Sequence, residues 1–116
     1  GFDTDFFIYY EEVDFCKRAQ ELGFSLFFTP ESKIWHKVGS ENMSPMAIYQ
    51  WNRSKVILFR KHAKNPMHRL LLIVYAFIYA FASLILRPKK LRHLSFFKST
   101  FEGLNAGLKL KIETEV

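Results

Sequence analysis

The chain has 116 residues, of which 49% are hydrophobic and 17% aromatic, and its formal charge is +6. This apolar content excludes a disordered tail, and its one cysteine, Cys16, excludes a disulfide-framed secreted domain and is expected to pack as a small apolar residue. The sequence lacks an initiator methionine, a signal peptide and a phosphate-binding glycine loop, so we expect a piece of a longer protein.

The first half of the chain predicts one helix followed by two short strands. Apolar residues recur at helical spacing over 11–22, and Gly23 follows where a C-terminal cap is expected. Residues 24–29, with the sequence FSLFFT, predict a buried strand, and residues 33–36 predict a second one. Residues 37–45 are rich in glycine, serine and asparagine and predict a loop.

The second half of the chain predicts three helices, over roughly 46–63, 67–86 and 91–108. Ser44-Pro45 is a favourable opening for the first of them, because proline is tolerated in the first helical turn. Prolines at positions 66 and 88 interrupt the pattern and separate the three helices.

The stretch 70–86 carries no charged residue and has basic residues on both sides. As a helix it would be about 26 Å long, whereas the hydrocarbon core of a bilayer is about 30 Å thick. Three interpretations stay open on this basis. The helix lies in the membrane interface, it spans a locally thinned bilayer, or it packs as a core helix of the protein.

Three acids, Glu11, Glu12 and Asp14, stand at the start of the first predicted helix. A carboxylate in such a position can act as a general base. The alternative is that acids in a first helical turn simply interact favourably with the helix dipole.

His36 ends the second predicted strand, where it can bind a metal or a phosphate, and Trp35 beside it can shield the site or stack on a ring. Arg53 can hold a diphosphate through its planar guanidinium group. The alternatives are a histidine that is hydrogen-bonded at a strand end and an arginine on a solvated basic face.

Taken together, these residues resemble the C-terminal half of the catalytic domain in family 2 glycosyltransferases, nearest the bacterial rhamnosyltransferase-like enzymes. The resemblance covers about the first 65 residues. It rests on the order and spacing of Gly1-Phe2-Asp3, Phe6-Phe7, Tyr10-Glu11, Val13-Asp14, Cys16, Arg18-Ala19, Gly23, Pro30, Trp35-His36 and Gly39.

The resemblance implies an α/β fold, the C-terminal part of a GT-A nucleotide-sugar transferase domain, over 1–65, followed by a helical membrane-associating tail over 66–116. The implied reaction is an inverting transfer of a sugar from a nucleotide-sugar donor to an acceptor hydroxyl, in the synthesis of cell-surface polysaccharide or glycolipid. The nucleotide pocket and the Asp-x-Asp metal motif of the family have no counterpart here, so the chain alone is expected to be inactive.

The resemblance also assigns roles to residues. Glu12 stands where the family has the aspartate that acts as general base, Glu11 supports it or contacts the acceptor, and Asp14 is a secondary contact. His36 matches a histidine that joins the site of Mg²⁺ or Mn²⁺ in relatives, where the metal bridges the donor diphosphate. Trp35 and Arg53 are the expected substrate contacts.

The lipid-linked acceptors of this family and the basic, aromatic tail imply a position at the cytoplasmic face of a bacterial inner membrane. The expected partners are therefore the donor, a saccharide or lipid-linked acceptor and the membrane surface. Nucleic acid is not an expected partner, because the basic residues flank an apolar run and form no continuous stripe. The alternative function is a small, non-catalytic, membrane-associated adaptor.

Overall fold

The structure, a computed structural model, describes residues 1–35, 44–86 and 94–112. They form four helices: α1 (Glu11–Glu21), α2 (Pro45–His62), α3 (Pro66–Leu86) and α4 (Leu94–Lys109). Each helix predicted from the sequence is present, and the bounds of the first three differ from the predicted ones by at most one residue. The predicted start of the fourth helix, near residue 91, lies outside the described residues. The side chain of Ser44 accepts a hydrogen bond from the Ala47 backbone N–H at 3.1 Å, which caps α2 as its sequence suggests.

The expectation of an α/β fold, as the C-terminal part of a GT-A domain, is wrong, because the described residues are helical and contain no strand. Residues 24–35 lie outside the helices, and their large apolar side chains are exposed, among them Phe27 at 87% and Phe28 at 90%. A strand needs a neighbouring backbone to complete its hydrogen bonds. The described part of the chain forms no such ladder, so β-propensity alone does not produce a sheet.

Helix α2 is the centre of the structure, packing most extensively against α4 and also against α3. One core cluster joins Val56 of α2 with Ala76 and Ala80 of α3 and Leu104 of α4. A second cluster joins Phe6 with Ile57 and Leu58. The boundary predicted near residue 65 falls in the turn between α2 and α3, and α4 returns across it to pack on α2.

Two glycines allow α4 to approach α2 closely. A Cβ atom added at Gly103 would lie 2.3 Å from the Tyr49 carbonyl oxygen, and one added at Gly107 would lie 2.7 Å from the Arg53 carbonyl oxygen. Both glycines are buried. The spacing of four residues puts them on one face of α4, so the face that contacts α2 is formed partly by bare backbone.

The N-terminal segment, residues 1–10, is held on α2 by polar contacts. Lys61 pairs with the carboxylates of Asp3 and Asp5, and Arg53 Nη1 donates to the Asp5 carbonyl oxygen at 2.9 Å. The buried Ser54 hydroxyl donates to the Ile8 carbonyl oxygen at 2.9 Å. These contacts fix the segment that leads into the acidic start of α1.

Candidate functional site

The backbone is strained immediately before the predicted acidic motif. Tyr9 and Tyr10 both have φ of 68°, the left-handed region that bulky residues rarely adopt. Each such residue costs on the order of 1–3 kcal/mol, and strained residues of this kind cluster at functional sites. Their rings pack against Trp51 of α2, with centroid separations of 5.2 Å and 5.1 Å, and this packing holds the turn in place.

The three acids at the start of α1 have different environments. Glu12 is exposed, whereas Glu11 is partly buried and its Oε2 atom has no hydrogen-bond partner among the described residues. Asp14 is fully buried. The geometry therefore leaves the Glu12 carboxylate open to a ligand and removes Asp14 from solvent.

Asp14 connects α1 to the end of α2. Arg18 Nε donates to its Oδ2 at 2.8 Å, and His62 Nε2 lies 2.9 Å from its Oδ1. The other ring nitrogen of His62 lies 3.5 Å from Glu21 Oε1. Both oxygens of Asp14 are thus engaged within the protein, and this carboxylate holds the acidic turn on α2. No pattern in the sequence relates position 14 to position 62.

Two groups of aromatic rings lie near the start of α1. Tyr9 and Tyr10 contact Trp51 of α2, and Tyr75 contacts Tyr79 of α3. Lys55 lies against both Trp51 and Tyr79, so the five rings are called the aromatic cluster below. Burial raises the pKa of the Tyr10 hydroxyl to about 12, and the nearby Tyr79, Tyr75 and Glu12 contribute in the same direction. The acidic turn therefore lies close to the tyrosines of α3. The sequence did not indicate this, because the tyrosines of α3 lie within a uniformly apolar run.

Lys55 lies beside this cluster and is almost fully buried, with 4% exposure. Its Nζ atom is 4.0 Å from the centroid of the Tyr79 ring and 5.8 Å from that of Trp51, and it has no hydrogen-bond partner in the described ranges. Burial lowers its pKa to about 8. The sequence offered one signal for the contact between Lys55 and Trp51, because Lys55 follows Trp51 by one helical turn. This signal is weak, since lysines in a basic helix are usually solvated.

Lys55 should make the stability of the fold depend on pH. The unfolded chain keeps the ordinary lysine pKa of 10.5 and binds more protons than the folded chain between pH 8 and that value. The free energy of unfolding is therefore expected to rise by about 1.5 kcal/mol between about pH 7.5 and pH 9.5. Urea titrations at the two pH values measure this change. Tyr10, whose pKa is raised in the folded chain, makes the free energy of unfolding fall with rising pH, but only above pH 10.

Two substitutions serve as controls for this rise. Lys55→Met should abolish the rise in the free energy of unfolding with pH. It should also be more stable than the wild type at pH 7.5, because a buried unpaired charge is removed. Lys64→Met, at an exposed position just after α2, should keep the rise. An equal rise in Lys55→Met and the wild type would assign the titration to another group.

Of the remaining predicted site residues, the structure describes Arg53 and Trp35. Arg53 lies in α2 with its guanidinium on the Asp5 carbonyl oxygen, and Trp35 is fully exposed. His36, the predicted metal ligand, lies outside the described residues. Lys61 engages Asp3 and Asp5.

The predicted Mg²⁺ or Mn²⁺ ion stays a prediction, because its assigned ligand, His36, is not among the described residues. The described residues include no group of three His, Cys, Asp or Glu side chains arranged to hold a metal. The buried carboxylate of Asp14 faces Arg18 and His62 instead of an open position. We therefore derive no step of a reaction through a metal.

Helix α3 presents a broad apolar surface. Its window Pro66–Ser83 is long and apolar enough to cross a membrane, with a mean hydropathy of 1.4, and only 11% of it is buried. Ala76 and Ala80 face the protein, whereas Leu71, Val74 and Ile78 are among the exposed residues. Within the described part of the chain, the other elements therefore cover little of this window.

A scan against protein-family models and searches of curated proteins and of solved structures found no match to the chain.

Proposed function

We propose that the chain provides the acceptor-side, membrane-associated part of an inverting glycosyltransferase of family 2. The observation that carries this proposal is the position of Glu12. It is exposed in the first turn of α1, directly after two strained tyrosines and close to the aromatic cluster. The resemblance of residues 1–39 to this family supplies the class of reaction.

In this reaction Glu12 accepts the proton of the acceptor hydroxyl as the new bond to the anomeric carbon of the donor sugar forms. The bond from that carbon to the nucleoside diphosphate breaks, and the diphosphate leaves with the bonding electrons. Attack from the face opposite the leaving group inverts the anomeric configuration. Glu11 and the aromatic cluster orient the acceptor, and Asp14 positions the acidic turn through Arg18 and His62.

The membrane is the second part of the proposal. The apolar surface of α3 is exposed. Basic residues precede and follow the uncharged run 70–86 in the sequence: Lys64, Arg69, Arg87, Lys89, Lys90 and Arg92. Basic residues on both sides of an apolar helix favour its binding to a leaflet of anionic lipids. We therefore assign the chain to the cytoplasmic face of a bacterial inner membrane, with α3 against the lipid and a saccharide or lipid-linked acceptor near Glu12.

The transferase assignment is tested first on the coding DNA. An open reading frame of about 200 codons upstream of Gly1, with alternating strand and helix patterns and an Asp-x-Asp after a strand, is expected for this class of enzyme. A stop codon and a start site immediately before Gly1 would contradict the transferase and favour the non-catalytic adaptor, for which the exposed surface of α3 is the functional feature.

Glu12→Gln in the enzyme encoded by that frame is expected to lower the transfer rate about 10²- to 10⁴-fold, because the amide cannot accept the proton. Release of nucleoside diphosphate measures the rate. Glu12→Asp, which restores the residue typical of the family, should retain transfer, and Glu31→Gln, at an exposed position, is the control. Unchanged transfer by Glu12→Gln would exclude Glu12 as the base.

A further inference from the structure

Lys55 is the one described lysine whose Nζ atom is both buried and without a hydrogen-bond partner among the described residues. A buried charge is normally paired, because its lost hydration must be replaced by an opposite charge or by hydrogen bonds. The rings of Tyr79 and Trp51 stabilise the ammonium only in part, since a cation–π contact replaces none of its three hydrogen bonds. The part of the chain that the structure describes therefore supplies Lys55 with no anionic acceptor.

The surroundings of Lys55 indicate from which side an anion arrives. Lys55 is in α2, and the ring that covers it belongs to Tyr79 of α3. Tyr79 is itself 46% exposed and lies on the apolar side of α3 with Tyr75 and Ile78, which are also exposed. The ammonium is thus separated by a single aromatic side chain from the surface of α3 that faces outward.

We propose that Lys55 binds the phosphate group of an anionic membrane phospholipid that lies against α3. In this arrangement the Tyr79 ring turns aside, the phosphate oxygens accept hydrogen bonds from the ammonium, and the acyl chains cover exposed apolar residues such as Val74 and Ile78. This inference rests on the membrane association of the proposed function, but it is independent of sugar transfer.

Three features of the structure favour a lipid phosphate over other anions. A lysine ammonium binds phosphate as a compact point charge. Tyrosines such as Tyr75 and Tyr79 are the side chains that occupy the headgroup level of a membrane, where the lipid phosphates lie. The adjoining surface of α3 is apolar, so a ligand with an anionic head and an apolar body matches it better than a free ion does.

The test measures binding of the 116-residue chain to vesicles by co-sedimentation. Phosphatidylcholine vesicles that carry phosphatidylglycerol are compared with phosphatidylcholine vesicles that carry oleate, adjusted to the same surface charge. Lys55→Gln is expected to weaken binding to the phosphatidylglycerol vesicles about tenfold, the effect of one charge-assisted contact, and to leave binding to the oleate vesicles unchanged. Lys64→Gln, the exposed control, should weaken binding to both vesicles equally and only slightly, because its charge acts through the general field.

A second measurement does not depend on a variant. The ¹³Cε resonance of Lys55 is titrated with and without phosphatidylglycerol vesicles, and the pKa of the ammonium is expected to rise when the phosphate is bound. Inorganic phosphate, added without vesicles, should leave it unchanged. An equal response to inorganic phosphate would assign the site to a free anion and overturn the lipid.

The proposal fails if Lys55→Gln binds phosphatidylglycerol vesicles as the wild type does, or if the loss is the same on oleate vesicles. It also fails if the wild type binds no vesicle, and that result would refute the membrane association as well. Unchanged transfer in Glu12→Gln with intact vesicle binding that depends on Lys55 is the opposite pattern, so the failures of the two proposals are distinguishable.

Discussion

Gly103→Ala is expected to lower the free energy of unfolding by about 3 kcal/mol, at the upper end of the usual cost of overpacking. The new Cβ atom would lie 2.3 Å from the Tyr49 carbonyl oxygen, and because that oxygen belongs to the backbone of α2, no change of rotamer relieves the contact. Helix α4 must then move away from α2, which loosens the core around Val56 and Leu104. Chemical denaturation followed by circular dichroism measures the loss.

The sign of this effect makes the experiment decisive. By helix propensity alone, a glycine-to-alanine change inside a helix stabilises by about 1 kcal/mol. Lys98→Ala, at an exposed position of the same helix, is the control and should change stability by less than about 0.5 kcal/mol. Stabilisation by Gly103→Ala would contradict the close approach of α4 to α2, and Gly107→Ala provides an independent second test.

Asp14→Asn is expected to destabilise the chain by about 2 kcal/mol, because the amide replaces one of the two buried acceptor oxygens with a donor that faces the donors of Arg18 or His62. Arg18 and His62 would lose the carboxylate that their nitrogen atoms contact at 2.8 Å and 2.9 Å. Thermal and urea unfolding at neutral pH measure the effect.

Glu12→Gln is the matched control for Asp14→Asn, since it makes the same change from acid to amide in the same helical turn. Glu12 is exposed, so its substitution should change stability by less than about 0.5 kcal/mol. Together the two variants separate the acid that holds the turn from the acid that is proposed to react. Similar losses of stability in both would show that burial does not distinguish them.

The helices were predictable because their signals are local. Helical spacing, Gly23 after α1 and the Ser44-Pro45 opening of α2 all act within one or two turns. The prediction of two strands was wrong for a related reason. Residues 24–29 have the composition of a buried strand, but a strand is completed by a second backbone that a local pattern does not supply.

The candidate site was predictable only in part. The sequence placed Glu11, Glu12 and Asp14 in one turn, but it did not separate the buried acid from the exposed one, because that difference depends on His62, far along the chain. It did not single out Lys55 either, since the partner ring belongs to Tyr79 in another helix. Contacts between distant residues decide burial, and the local patterns of a single sequence carry no signal for them.

The central position of α2 has a consequence for synthesis. Its main packing partner, α4, emerges from the ribosome after α2 and α3, so the apolar face of α2 stays without this cover for roughly several seconds. Helix α3 emerges in that interval and, in the membrane association proposed above, reaches the bilayer first. The bilayer would then act as a scaffold on which α4 closes over α2, and the growing chain would be most prone to aggregation just before α4 emerges.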